Sequence, residues 1–479
     1  MDPKQNPYRF IILLFDCLLT FGTYFCFDMP SVLQDQLTCP VCTTTVYNNA
    51  SDICNATDCL GINDDNYNLF YAIFAWTNAV VVIGAGFLID KFGNIVGAVL
   101  FSFLCLAGTS VFAVGAMLKG TPAMYPVMLL GRLLFGSGNG AISIVQFRIG
   151  AYWFKNKELA FAFGVMLTVS RMGSVLNFFF TDHFRNVYGL TWTLWGGAAL
   201  CGVSFLSAII VSSLDMYGVK QLGNVEQVKT ASKEMRLKDI RKFSLSYWML
   251  LLTILFSYSS IIPFIADSSK FINLRYNLTP ERSAYISSAV YDVPMVISPF
   301  LGLFVDKFGC RGFLLILSTI SIIPVFGLLA FTLIHPLITT VWLGFSYSLI
   351  AASSWSAIPF VVRQSNLGIA IGVTNSLQMI GIGFSNLVVG SILGKSQGLT
   401  ADETLLRWKY VMVFLLASTV VAVITSLLLN IVDRKRGGIV NMGRQERLYI
   451  QEVLTYGDER SIPNDEKSPL LNDKHSTIN

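Results

Sequence analysis

A charged turn occurs twice in this chain, 216 residues apart, and each copy follows a long apolar stretch. The first copy reads Gly-Phe-Leu-Ile-Asp-Lys-Phe-Gly over residues 86–93, and the second reads Gly-Leu-Phe-Val-Asp-Lys-Phe-Gly over residues 302–309. A repeat at this interval predicts two similar halves built mostly of apolar helices. Repeated halves are common among secondary transporters, which rock one half against the other around a central site.

The composition predicts a membrane protein. Hydrophobic residues make up 53% of the chain and charged residues 13%, about half the charge of an average soluble domain. Twelve apolar stretches have about the length of ~20 residues that a helix needs to cross a bilayer. They lie at 8–28, 67–89, 93–117, 123–150, 158–182, 190–214, 245–266, 283–305, 312–334, 336–362, 366–393 and 406–432. We therefore expect an all-α membrane protein with twelve transmembrane helices, the first of them retained and not cleaved as a signal peptide.

The distribution of basic residues predicts the orientation. Segment 215–244 holds seven Lys and Arg residues and the chain after Ile431 holds eight, whereas segment 29–66 holds none. Basic residues concentrate on the cytosolic side of membrane proteins, so we expect both termini in the cytosol. The net charge of +5 then reflects topology and does not indicate nucleic-acid binding.

Three glycosylation sequons, at Asn49, Asn55 and Asn277, fall in segments that this topology assigns to the non-cytosolic side. Four cysteines lie in segment 29–66, which also contains Asn49 and Asn55: Cys39, Cys42, Cys54 and Cys59. In an oxidising lumen they predict two disulfides with three possible connectivities. The alternative is a zinc site around Cys39-Pro-Val-Cys42.

The two repeated turns, with Gly-Arg-Leu-Leu-Phe-Gly-Ser-Gly-Asn-Gly at residues 131–140, resemble signature motifs of the major facilitator superfamily. The resemblance implies two six-helix bundles, over residues 1–214 and 245–436. They would be joined by the cytosolic linker 215–244 and followed by the tail 437–479, which its polar composition predicts to be disordered.

A narrower resemblance is to the lysosomal dipeptide transporters within that superfamily. It rests on residues 21–30, 153–159, 170–177 and 344–349, with Trp355 and Leu367-Gly368. It implies export of dipeptides or similar zwitterions from a lysosome or vacuole to the cytosol by alternating access. It also implies a glycosylated single-span accessory subunit, which this chain's own sequons and cysteine-rich loop could make unnecessary.

Four ionisable residues lie well inside predicted spans: Asp16, Arg132, Arg171 and Asp292. Such residues cost about 2.5–3.5 kcal/mol each on insertion scales and are therefore candidates for function. Arg171 is the candidate ligand for a carboxylate, because a guanidinium binds one through two parallel hydrogen bonds. The resemblance assigns the matching arginine to the peptide carboxylate, and the alternative is a structural pair with an aspartate.

The other three charges have competing interpretations. Arg132 lies in the fourth-helix motif among small glycines, where a structural or gating role is favoured. Asp16 and Asp292 could bind a substrate amine, carry a proton, or pair with the arginines. Where the resembled transporters have a fourth-helix glutamate for the amine, this chain has Gly140 beside Asn139. Either the amine contact has moved to an aspartate, or the substrate has no amine.

Aromatic and amide side chains on facing helices suit a pocket that hydrogen-bonds a peptide unit. The candidates are Trp355, Tyr258, Tyr291, Asn177, Asn375 and Gln378. The repeated turns supply candidate gating pairs, Asp90 with Lys91 and Asp306 with Lys307, which could form a latch or merely mark topology.

The tail contains Glu466-Lys-Ser-Pro-Leu470-Leu471, which is similar to an acidic dileucine signal bound by clathrin adaptors. It favours a lysosomal or vacuolar membrane, with the plasma membrane as the alternative. An enzyme is not expected, because the three histidines are not clustered with cysteine or acid. No cofactor, metal or nucleic acid is predicted. Two alternatives to the dipeptide transporter are a proton-coupled organic-anion or monocarboxylate transporter and a transport-inactive sensor or scaffold.

Overall fold

The computed structural model describes residues 6–38, 59–154, 159–221, 243–362, 367–394 and 400–443. In this part of the chain, helices account for almost every residue and no strand occurs. The helices are α1 Asn6–Val32, α2 Gln34–Thr38, α3 Asp64–Met117, α4 Met124–Phe154, α5 Leu159–Gln221, α6 Leu245–Tyr276, α7 Pro280–Phe308, α8 Arg311–Phe331, α9 Pro336–Val361, α10 Leu367–Leu393 and α11 Ala401–Arg434. A 3-10 helix, Ile439–Asn441, follows α11.

Helices α3 and α5 each contain two membrane spans joined at a single glycine. Gly93 has φ +88° inside α3, and Gly189 has φ +81° inside α5. Glycine adopts a positive φ without the steric cost of a Cβ, so one residue suffices to turn the chain back. The four spans predicted here, 67–89, 93–117, 158–182 and 190–214, correspond to the four helical parts on either side of these glycines. We refer to the two parts of each helix as its first arm and its second arm.

The described residues contain ten helical stretches that are long and apolar enough to cross a bilayer. One of them, Gly164–Gln221, holds both arms of α5 and therefore counts as two spans. Helix α7, with 29 residues, is long enough but carries charges at both ends and in its middle. With α7 as the twelfth span, the predicted twelve-helix all-α membrane fold is confirmed.

The spans form two groups of six. Helices α1, α3, α4 and α5 make the N-terminal half, and α6 to α11 make the C-terminal half. The halves meet along two seams, where the first arm of α3 packs on α10 and the first arm of α5 packs on α7. Helix α1 also contacts α6. A site between these helices is bounded by both halves.

The second repeated turn ends α7 and starts α8. Gly309 has φ +72° and a Cβ there would collide with the backbone of Met442, which explains why this position is glycine. The carbonyl of Asn441 accepts a hydrogen bond from Cys310 N at 2.9 Å, and its side-chain oxygen accepts one from Phe313 N at 3.1 Å. The first residues of the predicted tail thus pack against this turn.

Candidate functional site

Arg171 lies on the first arm of α5 and reaches the seam between the two halves. Its guanidinium carbon is 5.1 Å from the centroid of the Tyr347 ring, which belongs to α9 of the other half. A cation over an aromatic face is stabilised by about 0.5–2 kcal/mol, more when it is desolvated. The predicted ligand residue therefore contacts the C-terminal half directly.

An aromatic wall from the C-terminal half lines this position. The ring of Tyr258 packs edge-to-face on Tyr347 at 5.7 Å, and its hydroxyl accepts a hydrogen bond of 3.0 Å from Trp355 Nε1. Tyr258, Tyr347, Tyr291 and Tyr24 all lie close to Arg171. The structure brings together the predicted residues Arg171, Tyr258, Tyr291 and Trp355, and adds Tyr24 and Tyr347.

The guanidinium of Arg171 has no carboxylate partner among the described residues. The ion pairs found there are Lys270 with Asp64 and Arg185 with Asp182. The Nη1 atom of Arg171 is buried and makes no hydrogen bond within the described part of the chain. Arg171 as a whole is half-buried, so an anion can reach the guanidinium and pair with the Nη1 group that lacks a partner.

An acidic residue outside the predicted set lies nearby. Asp28, in the last turns of α1, is 1% exposed, and its Oδ1 accepts a hydrogen bond of 3.2 Å from the Tyr291 hydroxyl. Its Oδ2 is buried, and the Ser174 hydroxyl also lies close to this carboxylate. The signal for Asp28 was present, since it lies in the stretch 21–30 that resembles the dipeptide transporters.

Asp16 lies inside the N-terminal half. It is fully buried, and neither carboxylate oxygen has a hydrogen-bond partner among the described residues. Its backbone carbonyl accepts a hydrogen bond of 2.8 Å from Gln146 Nε2, which also donates to Thr20. The Thr20 hydroxyl is 2.7 Å from that of Ser170, the residue before Arg171. Polar side chains thus connect the level of Asp16 to the level of Arg171.

Asp292 follows Tyr291 on α7, about 100° further around the helix. Ser288 donates a hydrogen bond of 2.8 Å to its Oδ2, and its Oδ1 is buried without a hydrogen-bond partner in the described residues. Neither predicted aspartate forms an ion pair with Arg171.

The space at Gly140 is occupied by the side chain of Asn78. A Cβ added to Gly140 would overlap Asn78 Oδ1, which lies on the first arm of α3. Asn78 is 1% exposed, and this oxygen has no hydrogen-bond partner among the described residues. A longer side chain at position 140 would therefore require Asn78 to move. Asn139 is half-buried, and its backbone carbonyl accepts a hydrogen bond from Ser143.

The predicted amide residues have different environments. Asn177 is fully buried, its Oδ1 accepts a hydrogen bond of 2.7 Å from Thr181, and its Nδ2 has no partner within the described residues. Gln378 on α10 is buried with a similarly unpartnered Oε1, and Asn375 is half-buried one turn earlier. These groups have free hydrogen-bonding capacity for a polar ligand.

Arg132 lies in an aromatic cage inside the N-terminal half. Its guanidinium carbon is 5.0–6.0 Å from four ring centroids, those of Tyr71, Phe74, Phe112 and Phe135. Its Nη2 donates a hydrogen bond of 3.4 Å to the carbonyl of Phe27. It therefore ties α4 to the end of α1 and to both arms of α3.

The helix bundle has two ends, which we call the loop end and the linker end. The loop end carries Val32 of α1, Asp64 of α3 and residues 276–280, and the linker end carries Gln221 of α5 and Leu245 of α6. At the loop end, Lys270 Nζ of α6 lies 2.5 Å from Asp64 Oδ1 of α3 and 2.7 Å from the Thr38 hydroxyl. Gln34 Nε2 donates a hydrogen bond of 2.5 Å to Asp267 Oδ1.

Backbone carbonyls of α6 add to this closure. The Ser31 hydroxyl donates to the Ile265 carbonyl at 2.7 Å, and the Tyr67 hydroxyl donates to the Ala266 carbonyl at 2.8 Å. Together with the Lys270 and Gln34 contacts these bonds join the halves at the loop end, and we call them the loop-end gate. The sequence analysis did not predict this gate.

The contacts found between described residues of the two halves do not extend to the linker end. Four glycines lie toward this end on the four seam helices: Gly84, Gly164, Gly302 and Gly372. A Cβ added to any of them would meet no described atom within 4 Å. By contrast, the hydrogen bonds and ring contacts found between the halves among the described residues stay in the middle or at the loop end. The contacts between described residues of the two halves therefore close the loop end.

Several predicted positions lie outside the residues or side chains that the structure describes. These are the side chains of Asp90, Lys91 and Asp306, and the residues Asn49, Asn55, Cys39, Cys42, Cys54, Glu466, Leu470 and Leu471. Of the remaining positions, Lys307 is exposed, with Nζ 5.4 Å from the Phe308 ring centroid, and Cys59 is half-buried. Asn277 is exposed at the end of α6 with φ 55°.

Comparison with known proteins identifies the family. The sequence model of the Major Facilitator Superfamily matches residues 17–386. The chain belongs to the major facilitator superfamily. It is 31% identical over 460 residues to the lysosomal dipeptide transporter MFSD1 of Danio rerio. The alignment covers 93% of this chain and 92% of that relative. The MFSD1 of Homo sapiens is 30% identical over 457 residues, with coverage of 93% and 91%.

Solved structures agree on the fold of this superfamily member. A bacterial homolog of the human lysosomal transporter Spinster matches with a TM-score of 0.62 at 14% identity, covering 89% of this chain and 97% of that one. The xylose transporter XylE of E. coli matches with a TM-score of 0.62 at 12% identity, covering 88% and 95%. At these identities the similarity establishes the fold alone.

Proposed function

We propose that this protein is a secondary transporter that exports dipeptides or similar small zwitterions from a lysosome or vacuole to the cytosol by alternating access. The observation that carries the proposal is Arg171, a guanidinium at the seam between the halves whose Nη1 is buried without a partner in the described residues. A substrate carboxylate would neutralise it through two parallel hydrogen bonds. The relatives named as dipeptide transporters support the substrate class.

The aromatic wall fits a substrate with variable side chains. Tyr258, Tyr347 and Trp355 offer apolar faces together with phenol and indole hydrogen-bonding groups. Such surfaces bind side chains of different shapes, while Asn375 and Gln378 are available to hydrogen-bond the peptide unit. Selectivity would then rest on the charged termini and not on one side-chain pocket.

The orientation given by the basic residues makes the loop end lumenal and the linker end cytosolic. With the loop-end gate closed, the protein would then be closed toward the lumen, as expected of a state that releases substrate to the cytosol. To load from the lumen, the loop-end gate must break while the cytosolic ends of α3, α5, α7 and α10 approach each other.

The cellular setting follows from the same proposal. The dileucine pattern at Glu466, Leu470 and Leu471 would bind clathrin adaptors and direct the protein to lysosomes. Glycans at Asn49, Asn55 and the exposed Asn277, with disulfides among Cys39, Cys42, Cys54 and Cys59, would protect the lumenal surface. We expect the protein to be stable without an accessory subunit.

A second candidate is proton-coupled transport of a monocarboxylate. It is favoured by Asp16, whose two carboxylate oxygens are buried and unpartnered among the described residues, as in a site that holds a proton. In this alternative Arg171 would bind the acid and Asp16 would take up the proton.

The test is counterflow in proteoliposomes with the full-length protein, comparing a labelled neutral dipeptide with a labelled monocarboxylate. Arg171→Ala should reduce dipeptide counterflow by roughly 10- to 100-fold, the value of a hydrogen bond to a charged group. The matched control is Arg185→Ala, which removes an arginine of the same helix whose partner is Asp182. Counterflow of the monocarboxylate alone would favour the second candidate, and counterflow of neither would indicate an inactive sensor or scaffold.

A further inference from the structure

Asp28 and Arg171 have opposite charges and lie on two helices that run side by side. Helix α1 and the first arm of α5 pack in parallel with a constant offset of 150 residues: the hydroxyls of Thr20 and Ser170 are 2.7 Å apart, and Ser174 donates to the Tyr24 carbonyl at 3.4 Å. Arg171 is therefore level with Phe21, seven residues before Asp28. Seven residues are two helical turns, so Asp28 lies on the same face of α1 as Phe21, about 10 Å further toward the loop end.

This separation suits the two ends of a dipeptide. Side chains of parallel helices tilt in the same direction, so the offset between the helix positions carries over approximately to the charged groups. A hydrogen bond of about 2.9 Å at each end leaves roughly 4–5 Å between the two charged groups of the ligand. An extended chain spans at most about 3.3–3.6 Å per residue, so one residue is too short for this length and two residues reach it without full extension.

Tyr291 connects the two charges. Its hydroxyl donates to Asp28 Oδ1 at 3.2 Å, its ring packs on Phe178 at 6.2 Å, and it lies close to Arg171 as well. Phe178 is two turns beyond Arg171 on the same face of α5. The Tyr291–Asp28 bond joins the two halves, so it must break when the loop end opens. Opening would leave the Asp28 carboxylate free to accept another donor.

We propose that Asp28 binds the N-terminal ammonium of the substrate whose carboxylate Arg171 binds, and that the ammonium replaces the Tyr291 hydroxyl. This inference rests on the proposed function and names the second half of its site. It also accounts for the absence of an acid at position 140, where Asn78 fills the space.

The other buried acids are less suitable. Asp16 lies below Arg171 toward the linker end, and no described residue of the other half hydrogen-bonds its carboxylate. Asp292 points away from Tyr291 on α7 and is held by Ser288 at 2.8 Å. Asp28 also lies near Arg132, so the competing role is a structural counter-ion for that guanidinium.

The test compares a dipeptide with a free amine, Ala-Ala, and its N-acetylated form, which keeps the carboxylate and loses the positive charge. Counterflow is measured for the wild-type protein, Asp28→Asn and Asp28→Glu, with Asp402→Asn at the exposed start of α11 as the control. In the wild type we expect Ala-Ala to be preferred by about 10- to 100-fold. Asp28→Asn should lower Ala-Ala counterflow by that factor and leave the N-acetyl form within about twofold, whereas Asp28→Glu should keep part of the preference.

A structural counter-ion predicts a different pattern, in which Asp28→Asn lowers counterflow of both compounds equally. That result, or a preference that Asp28→Asn leaves unchanged, overturns the inference while the proposed function stands. Wild-type protein that moves neither compound overturns both. If Asp28→Asn does not fold, Tyr291→Phe tests the same inference. Loss of the Tyr291 hydroxyl, which competes with the ammonium for Asp28, should raise the apparent affinity for Ala-Ala. The apparent affinity for the N-acetyl form should stay unchanged. An equal change for both compounds overturns the inference.

Discussion

The Lys270–Asp64 pair is the strongest electrostatic contact of the loop-end gate, and its removal should open the gate. Both side chains are largely buried, with 11% and 5% of their surface exposed, and they belong to opposite halves. Replacing Lys270 by Met leaves Asp64 charged and without its partner when the gate is closed. In the open state water can solvate Asp64, so the cost falls on the closed state.

The size of the effect follows from burial. Removing one partner of a buried ion pair costs about 3–5 kcal/mol. Since 1.4 kcal/mol corresponds to a tenfold change in an equilibrium constant, Lys270→Met should shift the equilibrium toward the open gate by roughly 100- to several thousand-fold. Asp64→Asn should act in the same direction. The double variant should shift it by much less than the sum, because neither charge is then left alone.

The assay is the rate at which an impermeant maleimide, added from the loop side, labels a cysteine at Ser268. This residue of α6 is fully buried beside Asp267 in the closed gate. Cys310, which is exposed, is replaced by Ser. When the open fraction is small, the labelling rate is proportional to it, so the shift in equilibrium appears as a faster rate.

Arg275→Met is the matched control. Arg275 lies on the same helix, but its Nη2 donates to the carbonyls of Ala330 and Thr332 within its own half. Its loss should change the labelling rate by no more than about threefold. An unchanged rate in Lys270→Met, or an equal rise in Arg275→Met, would refute the assignment of this pair to the gate.

Two further predictions concern positions 140 and 35. Gly140→Glu should lower the yield of folded protein, because the new side chain collides with Asn78. Asn78→Ala in the same chain should restore the yield. Size-exclusion profiles of the single and the double variant check both expectations. Burial raises the pKa of Asp35, in the short helix α2, so the ionised form destabilises the folded protein and the penalty disappears as the pH falls through the raised pKa. Asp35→Asn should therefore increase the melting temperature at pH 7 and match the wild type near pH 4, and a difference that grows on acidification would contradict this assignment.

The fold could be predicted from the sequence because its main signals are local. Apolar length gave the spans, and the repeated turn gave the duplication. The final glycines of both copies, Gly93 and Gly309, adopt positive φ in the structure, which is the physical reason for their repetition. The exact point at which the chain turns inside α3 and inside α5 depends on the positive φ of one glycine in each and could not be read from hydropathy.

The gate was missed because its charges lie where apolar stretches end. The predicted spans stopped at residue 28, began at 67 and stopped at 266, whereas the helices run to Val32, begin at Asp64 and run to Tyr276. A charged residue normally ends a membrane span because burying it is costly. Here Asp64, Asp267 and Lys270 are neutralised or hydrogen-bonded across the two halves, which are distant in sequence. Only the three-dimensional structure shows that compensation.

The candidate site was predicted only in part, because some of its residues are recognisable from the sequence and others only from contacts between distant parts of the chain. Arg171, Tyr258 and Trp355 were recognised from residue type and resemblance, and the structure brings them together at one seam. Asp28 was passed over because it lay at the edge of a predicted span. Its importance depends on Tyr291, which is 263 residues away along the chain.

The central claim is that Arg171 recognises the carboxylate of a dipeptide. The most direct measurement is counterflow of Ala-Ala against its C-terminal amide, which keeps the ammonium and the peptide unit but has no carboxylate. The wild-type protein should prefer the acid by at least about tenfold, and Arg171→Ala should lose this preference. Equal transport of acid and amide by the wild-type protein would contradict the account.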